Sequence, residues 1–256
     1  MVDPAFRPAT LITGASAGLG AEFARQLAKR GERIILVARR KERLEQLASE
    51  IGGAEIIAAD LSEPGAGTKV VAEAISRDLW IRTLINNAGF GLIGQFEALP
   101  LMRQLEMIDL NVRALTNLTY VVLNDMRWRG EGAILNVAST AAFQPGPKMA
   151  VYFATKAFVL SLTEALHEEL KPHGIKVSCL CPGPTRTEFG EVAGFGGNGM
   201  FDRVAMNAPQ VVEAGLAGLD RNRAVVVPGL VNKIAAASTR FAPRPLVRKI
   251  AGAIKY

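Results

Sequence analysis

The sequence predicts a single α/β domain built on a doubly wound parallel sheet of about seven strands, with helices on both faces. Short apolar runs alternate with longer helical patterns along the chain, as in open α/β sheets. The first six apolar runs are continuous rather than alternating, which is typical of strands that are buried on both faces. The chain has 256 residues, of which 49% are hydrophobic, enough for one large core.

The first half of the chain is expected to supply four strands and two helices. The helix after the first strand is amphipathic and is expected to stop at Gly31. The helix after the second strand carries its charges outward. The predicted strands are residues 9–15, 33–39, 54–60 and 83–89, and the predicted helices are residues 19–31 and 41–52.

The second half continues the alternation with two further strands, a short candidate for a seventh, and two long helices. No linker or internal repeat is visible, so residues 1–256 are predicted to form one domain. Within it we expect an N-terminal extension (1–8), a substrate lid (183–209) and a basic tail (231–256). The predicted helices are residues 103–128 and 149–171, and the predicted strands are residues 132–139, 175–183 and 224–229.

The net charge of +6 is concentrated at the C-terminal end of the chain. Residues 221–256 hold eight basic groups and no acid, so the remainder, with 22 basic and 24 acidic groups, sums to −2. The high isoelectric point therefore reflects residues 221–256 and does not indicate a basic surface on residues 1–220. No nucleic-acid recognition motif accompanies the basic residues, and we predict no nucleic-acid partner.

The composition favours a cytoplasmic protein without a metal site. The N-terminus has no apolar stretch of signal-peptide length, and no window reaches 18 uninterrupted apolar residues. Cys179 and Cys181 are the two cysteines. We expect them to be small buried strand residues that point to opposite faces and form no disulfide with each other, and no further cluster completes a metal site.

A glycine-rich loop follows the first predicted strand and leads directly into a helix. Glycines at such a turn let the backbone approach a pyrophosphate closely, and the helix N-terminus supplies free N–H groups. The spacing is G-x-x-x-G-x-G, and the alternative is a glycine turn without a ligand. The candidate phosphate-binding residues are Gly14, Ser16, Gly18, Leu19 and Gly20.

Small, polar or turn residues follow every one of the first six strands. In open α/β sheets, ligands bind beyond the carboxyl ends of the strands. Six such ends in order therefore predict a long ligand laid across one edge of the sheet. Besides the glycine loop, these residues are Arg39 and Arg40, Asp60 and Leu61, Asn86 to Gly89, Ser139, and Pro182 to Thr187.

These motifs together resemble the short-chain dehydrogenase/reductase family, in its short single-domain branch. The resemblance covers residues 9 to about 228 and implies a Rossmann-type fold and an oxidoreductase that acts on CH–OH or C=O groups. It depends on Thr13-Gly14-x3-Gly18-x-Gly20, Asn86-Asn87-Ala88-Gly89, Asn111, Ser139, Tyr152-x3-Lys156, and Pro182-Gly183 with Thr187.

The resemblance implies that Tyr152 and Lys156 are the catalytic pair. Residues four apart share one side of a helix, although such a pair alone could equally be packing. A tyrosine hydroxyl can give a proton to a reduced carbonyl oxygen, and we expect the ammonium of Lys156 to lower the tyrosine pKa. By resemblance, Ser139 hydrogen-bonds the substrate oxygen, Asn111 holds a water that links Lys156 to solvent, and Lys156 also holds the nicotinamide ribose.

The cofactor is expected to be NADP(H). An acid at the end of the second strand would repel a 2′-phosphate, and here Ala38 is followed by Arg39 and Arg40, which suit phosphate. The alternative is that both arginines are plain surface charge. The cofactor-binding residues implied are Gly14, Ser16, Gly18, Leu19, Gly20, Arg39, Arg40, Asp60, Leu61, Asn87, Ala88, Gly89, Tyr152, Lys156, Pro182, Gly183, Thr185 and Thr187.

Apolar side chains around the predicted pocket favour a hydrophobic carbonyl or secondary alcohol as the substrate. The competing hypothesis is a non-catalytic NADP(H)-binding protein that reports redox state to a partner. The resemblance also implies a homodimer or homotetramer that pairs through the helix carrying Tyr152. The candidate pocket residues are Phe90, Leu92, Ile93, Phe96, Ala141, Ala142, Phe143, Phe189, Phe195, Met200, Phe201 and Met206.

The basic tail allows two interpretations. Leu246, Ile250 and Ala253 recur at helical spacing, with Arg248 and Lys249 largely on the other side. The first interpretation is a helix that packs on its own domain or on a partner subunit. The second is weak peripheral contact with an anionic membrane surface.

Overall fold

A parallel seven-stranded sheet in the order β3-β2-β1-β4-β5-β6-β9 runs through the computed structural model, which describes residues 5–188, 190 and 205–253. The predicted α/β architecture is confirmed. A separate two-stranded ribbon pairs β7 with β8. The strands are β1 Arg7–Thr13, β2 Ile34–Ala38, β3 Glu55–Ala58, β4 Leu79–Asn86, β5 Gly132–Val137, β6 Ile175–Leu180, β7 Thr185–Arg186, β8 Met206–Asn207 and β9 Val225–Val226.

Nine α-helices are found in the described part of the chain, and a π-helical turn, Asp109–Ala114, separates the fourth from the fifth. A 3₁₀ turn, Thr140–Phe143, follows β5. The α-helices are α1 Gly18–Lys29, α2 Lys41–Glu50, α3 Ala66–Ile75, α4 Leu101–Ile108, α5 Leu115–Arg129, α6 Ala150–Leu170, α7 Ala208–Asp220, α8 Leu230–Ser238 and α9 Arg244–Ala253.

The sheet is buried on both faces, which explains the continuous apolar runs. Helices α3 and α5 cover one face, and α1, α2 and α7 cover the other. All five residues of β2 are buried. β1 lies between β2 and β4, so the strand order runs from β1 towards β3 on one side and from β4 towards β9 on the other. Because the strands are parallel, their carboxyl ends meet at one edge of the sheet.

The structure extends the sequence-based assignment in three places. β4 begins at Leu79 rather than at residue 83, because Leu79, Trp80 and Ile81 are buried and continue the pairing with β1. Helices α3, α7 and α8 were not predicted. The helix expected over residues 103–128 is interrupted by the π-helical turn, which contains Asn111.

The expectation that Cys179 and Cys181 point to opposite faces was wrong. Residues two apart on an extended chain share a face, and the two Sγ atoms lie 3.6 Å apart. Both are buried free thiols.

Three further sequence-based expectations concern the lid, membrane spans and metal sites. Most of the predicted lid, including Phe189, Phe195, Met200 and Phe201, lies outside the described residues. Within the described ranges, no helix is long and apolar enough to cross a membrane. The same ranges contain no cluster of histidine, cysteine and acidic residues that could hold a metal ion.

Candidate active site

The glycine loop between β1 and α1 is shaped for close approach by a ligand. Gly14 and Gly18 have positive φ angles of 65° and 56°, which L side chains rarely adopt. A Cβ at Gly14 would lie 2.9 Å from the Cα of Ala88, and one at Gly20 would collide with the carbonyl oxygen of Gly14. Helix α1 has no side-chain cap and no acid in its first turn, so its N-terminus fits an anionic group.

Thr13 ties this loop to the end of β4. Its Oγ1 accepts hydrogen bonds from the backbone N–H groups of Asn87 and Ala88, both at 3.0 Å, and donates to the carbonyl of Ile85. Asn87 Nδ2 in turn donates to the carbonyls of Thr13 at 2.9 Å and Gly14 at 3.3 Å. The predicted residues of the first and fourth strand ends are therefore brought together.

Ser139 and Tyr152 meet above the end of β5. Ser139 begins the 3₁₀ turn, and its Oγ accepts a hydrogen bond from the N–H of Ala141 at 3.1 Å. Tyr152, on the first turn of α6, lies close enough to Ser139 for the serine side chain to act on the tyrosine pKa. Burial raises the pKa of Tyr152 to about 12, and Ser139 opposes this only in part.

Lys156 lies one turn further along α6 and is 5% exposed. Its Nζ donates to the carbonyl of Val137 at 2.8 Å and lies 5.8 Å from the centre of the Tyr152 ring. Burial lowers the pKa of Lys156 to about 8. The expected lowering of the tyrosine pKa by Lys156 was wrong for this geometry, because burial of the phenol outweighs every other effect on Tyr152.

Asn111 is buried in the π-helical turn and closes the loop after β4. Its Oδ1 accepts from the N–H of Phe90 at 3.1 Å, and its Nδ2 donates to the carbonyl of Phe90 and to Thr155 Oγ1. A Cβ at Gly89 would lie 2.8 Å from Asn111 Oδ1 and 3.5 Å from Lys156 Nζ. Asn111 thus lies beside Lys156, and its role in holding a water stays a prediction.

The two arginines after β2 have different partners. Arg40 donates to Ser16 Oγ in the glycine loop, at 3.0 Å from Nη2. Arg39 faces the carboxylates of Asp60 at 3.6 Å and Glu106 at 3.5 Å. The 2′-phosphate role predicted for the pair therefore fits Arg40 better than Arg39.

The carboxylate of Asp60, at the end of β3, is held in place by its neighbours. Partial burial acts to raise the pKa of Asp60, but hydrogen bonds from the side chain and backbone of Ser62 and the charge of Arg39 hold it below its ordinary value. Leu61 beside it is buried in the core, so only its main chain could face a cofactor.

Sequence reasoning missed Arg43 and Glu188. Arg43 Nη1 contacts both carboxylate oxygens of Glu188, at 2.7 and 2.9 Å, and Arg40 lies 3.5 Å from the same carboxylate. Arg43 lies four residues after Arg39, so helical spacing could have revealed it. Glu188 is 145 positions away, and no local signal connects it with α2.

The segment after β6 crosses the site and reaches the glycine loop. The carbonyl of Pro182 accepts from the N–H of Thr140, and Thr185 Oγ1 donates to the carbonyl of Gly183. A Cβ at Gly18 would lie 3.2 Å from Cβ of Thr187. The predicted residues of this segment therefore lie over the loop expected to bind the cofactor phosphates.

A cleft opens beside Tyr152 and has mostly apolar walls. Leu92 and Phe96, which were expected to line a pocket, form part of its wall. Gln104 is a polar residue of the same wall. The other main wall residues are Leu99, Met107, Met149 and Val151. The free space inside it is about 10 Å³, the size of a water molecule, so only the character of its lining bears on the substrate.

Comparison with known proteins identifies related chains. A family model described as short chain dehydrogenase matches residues 8–194. Sulfoacetaldehyde reductase 2 of Chromohalobacter salexigens is 38% identical over 184 residues, which cover 70% of this chain and 73% of that protein.

Two solved structures match over nearly the whole chain. A short-chain dehydrogenase from Sphingobium yanoikuyae in complex with NADPH is 35% identical, with a TM-score of 0.80 and coverage of 98% of this chain and 97% of that one. A bulky-bulky ketone specific alcohol dehydrogenase from Comamonas testosteroni is 32% identical, with a TM-score of 0.78 and coverage of 98% and 97%.

Proposed function

Because this chain belongs to the short-chain dehydrogenase family, we propose that it is an NADP(H)-dependent oxidoreductase that interconverts a hydrophobic carbonyl and its secondary alcohol. The observation that carries the proposal is the proximity of buried Tyr152 to Ser139, with Lys156 one turn away on the same helix. Membership of the family makes the chain an oxidoreductase that acts on carbonyl or alcohol groups.

Tyr152 acts as the general acid in carbonyl reduction. With a pKa near 12 its hydroxyl is protonated at neutral pH, which is the form that can give a proton to a carbonyl oxygen as negative charge develops there. The bound nicotinamide supplies the hydride in this direction and accepts it in the other. In alcohol oxidation, Tyr152 takes the proton from the substrate hydroxyl.

Ser139 and Lys156 support this proton transfer. Ser139 presents a hydroxyl to the substrate oxygen beside that of Tyr152, and its own position is fixed by the N–H of Ala141. Lys156, held by the carbonyl of Val137, is placed to bind the ribose hydroxyls of a nicotinamide nucleotide. We retain Asn111 as the residue that joins Lys156 to solvent through a water.

Three observations support NADP(H) as the cofactor. The uncapped start of α1 and the glycine loop fit a pyrophosphate. Ser16, Arg40 and Arg43 lie at the end of β2, where Ala38 stands in place of the acid that would repel a 2′-phosphate. The carboxylate of Glu188, which pairs with both arginines, would have to give way to that phosphate. The Sphingobium yanoikuyae relative was solved with NADPH.

The apolar side chains of the cleft support a hydrophobic substrate. Leu92, Leu99 and Met107 offer no charged group that would bind a sulfonate or carboxylate. The Comamonas testosteroni relative is specific for bulky-bulky ketones, which agrees with a cleft of this composition. A homo-oligomer and a cytoplasmic location remain predictions.

A panel of apolar ketones and alcohols, tested in both directions with both nicotinamide cofactors, tests the proposal. We expect Tyr152→Phe to lower kcat by at least about 100-fold, the usual scale of general acid catalysis, while NADPH binding measured by fluorescence is retained. Tyr120→Phe is the matched control, because Tyr120 is exposed. Full activity of Tyr152→Phe would refute the role given to Tyr152, whereas NADPH binding without turnover of any carbonyl would favour the redox-reporting alternative.

A further inference from the structure

Residues 230–253 form a C-terminal arm that consists of α8, a short turn and α9. One side of the arm packs on the body of the protein. Ala236 of α8 and Val247 and Ala251 of α9 are buried, and α8 contacts the 3₁₀ turn Thr140–Phe143. Pro147 lies 3.6 Å from the Cβ position of Gly252. The first interpretation of the tail, a helix packed on its own domain, therefore holds for this side.

The opposite side of the arm presents an apolar surface outward. Leu230, Ile234 and Phe241 recur at intervals of four and seven residues, so they form one row along α8 and the turn after it. They are 73%, 62% and 89% exposed. A soluble helix normally turns such a row towards its own core. Here the other side of the arm faces the core, and this row is exposed. Three further apolar side chains of the arm are also exposed: Val231, Leu246 and Ile250.

Basic side chains flank the apolar row, and no acid accompanies them. The arm contains no aspartate or glutamate. In residues 5–188, 190 and 205–253, none of its basic groups forms an ion pair with a carboxylate, and all are exposed. These groups are Lys233, Arg240, Arg244, Arg248 and Lys249.

We propose that the outer side of the C-terminal arm binds the surface of an anionic lipid bilayer. The row of Leu230, Ile234 and Phe241 enters the boundary between headgroups and acyl chains, and the basic side chains bind lipid phosphates. Helices that lie at a membrane interface combine apolar and basic side chains in this way.

Charge favours a bilayer over a second copy of this chain. In a two-fold symmetric contact through the arm, each basic group would face the basic groups of the other copy, and no acid in the arm could compensate. An anionic bilayer instead supplies negative charge and an apolar layer together. The electrostatic part of this attraction falls within a Debye length, so binding must weaken as salt increases.

The position of the arm places the bound bilayer beside the candidate active site. The turn that α8 contacts begins directly after Ser139, and Pro147 lies five residues before Tyr152. Membrane binding does not depend on the proposed catalytic activity, however. The two can therefore fail separately, and Tyr152→Phe is expected to bind vesicles as wild type does.

The experiment is flotation of the full-length protein with two kinds of vesicle, phosphatidylcholine alone and equal parts of phosphatidylcholine and phosphatidylglycerol. We expect wild type to float with the anionic vesicles only and to be released by salt. The double variants Ile234→Ser/Phe241→Ser and Arg248→Glu/Lys249→Glu should bind at least about tenfold more weakly. Met102→Ser is the matched control, because Met102 is also exposed but lies on α4.

Each outcome bears on the proposal. The proposal is wrong if wild type does not float with anionic vesicles, or if salt does not weaken its binding. Neither measurement needs a variant. Equal loss in Met102→Ser would show non-specific adhesion and would also overturn it. Unchanged melting temperatures exclude misfolding of the arm variants. If these variants instead change the oligomeric state measured by light scattering, the surface is an interface between copies and the membrane proposal is wrong.

Discussion

Burial acts in opposite directions on the two titratable residues of the candidate site. It raises the pKa of the Tyr152 phenol and lowers that of the Lys156 ammonium, because in each case a poorly solvated charge is disfavoured. The tyrosine therefore keeps its proton at a pH where the lysine has lost its own. At neutral pH both groups are protonated, which suits the reducing direction.

Lys156 should make the stability of the cofactor-free protein depend on pH. Its pKa is about 8 in the folded state and 10.5 ordinarily, so between these values only the unfolded chain holds the proton, and stability rises with pH. Relative to Lys156→Met, wild type should gain about 3 kcal/mol across this window. Urea unfolding of both proteins at a series of pH values measures the difference.

Lys171→Met is the control for this experiment, because Lys171 is exposed. Its stability should follow wild type at every pH. Parallel stability curves for wild type and Lys156→Met would show that the lysine is not buried in solution as described. The effect of the tyrosine begins near its ordinary pKa of 10, inside this window, but both proteins contain Tyr152, so the effect cancels in the comparison.

Arg40 should decide the choice between the two nicotinamide cofactors. Charge-assisted hydrogen bonds contribute roughly 1.5–3 kcal/mol each, so wild type should prefer NADPH to NADH by tenfold or more in kcat/KM, and Arg40→Ala should lose most of this ratio. Arg39→Ala should lose less, because Arg39 faces two carboxylates. Lys41→Ala is the neighbouring control. Equal use of both cofactors by wild type would refute the assignment.

Two elements position the candidate catalytic residues. Helix α6 carries Tyr152 and Lys156 on its buried side, and the π-helical turn presents Asn111 to the loop after β4. π-helical turns inside helices are frequent at functional sites. By bonding both the N–H and the carbonyl of Phe90, Asn111 fixes the backbone that approaches Lys156 at Gly89. The π-helical turn lacks regular α-helical hydrogen bonds, but through Asn111 it holds the loop after β4 in place.

The exposed side of α6 should form the contact between subunits. Ala154, Ala157, Phe158 and Ser161 are exposed and lie three or four residues apart, so they form one small and apolar strip. We expect Phe158→Asp to convert an oligomer into monomers in light scattering, because it places a charge in that contact. Phe241→Asp is the matched control, since Phe241 is more exposed but lies in the C-terminal arm. A wild type that is monomeric at micromolar concentration would contradict the prediction.

At the scale of the whole molecule, one edge of the sheet collects the functional groups of six strands. Thr13 links the first and fourth strand ends, Arg40 links the second to the glycine loop, and Pro182 links the sixth to the turn after the fifth. A ligand that spans this edge would contact most of the fold at once, and its binding should therefore stabilise the whole domain.

NADPH should raise the melting temperature of the protein. At a concentration 100-fold above its Kd, a ligand of the folded state adds about 2.7 kcal/mol, which for a chain of this size is a shift of about 5–10 °C. NADH at the same concentration should give a smaller shift, and Arg40→Ala should reduce the NADPH shift to that of NADH. Differential scanning fluorimetry measures all three. No shift with either nucleotide would mean that the edge does not bind them.

Local spacing in the sequence determined the fold class, the glycine loop and the residues at the strand ends, and the resemblance to a known family added the Ser139, Tyr152 and Lys156 set. These features are readable because strands, helices and phosphate loops impose short, regular intervals on residue type. Tertiary structure alone decided the pairing of Arg43 with Glu188, the direction of the Tyr152 pKa, and which side of α8 faces outward. Each of these depends on what a side chain meets from a distant part of the chain: a carboxylate 145 residues away, the depth of burial, or the body against which the arm packs. Spacing along the chain fixes which residues share a face, but only packing decides whether that face is covered.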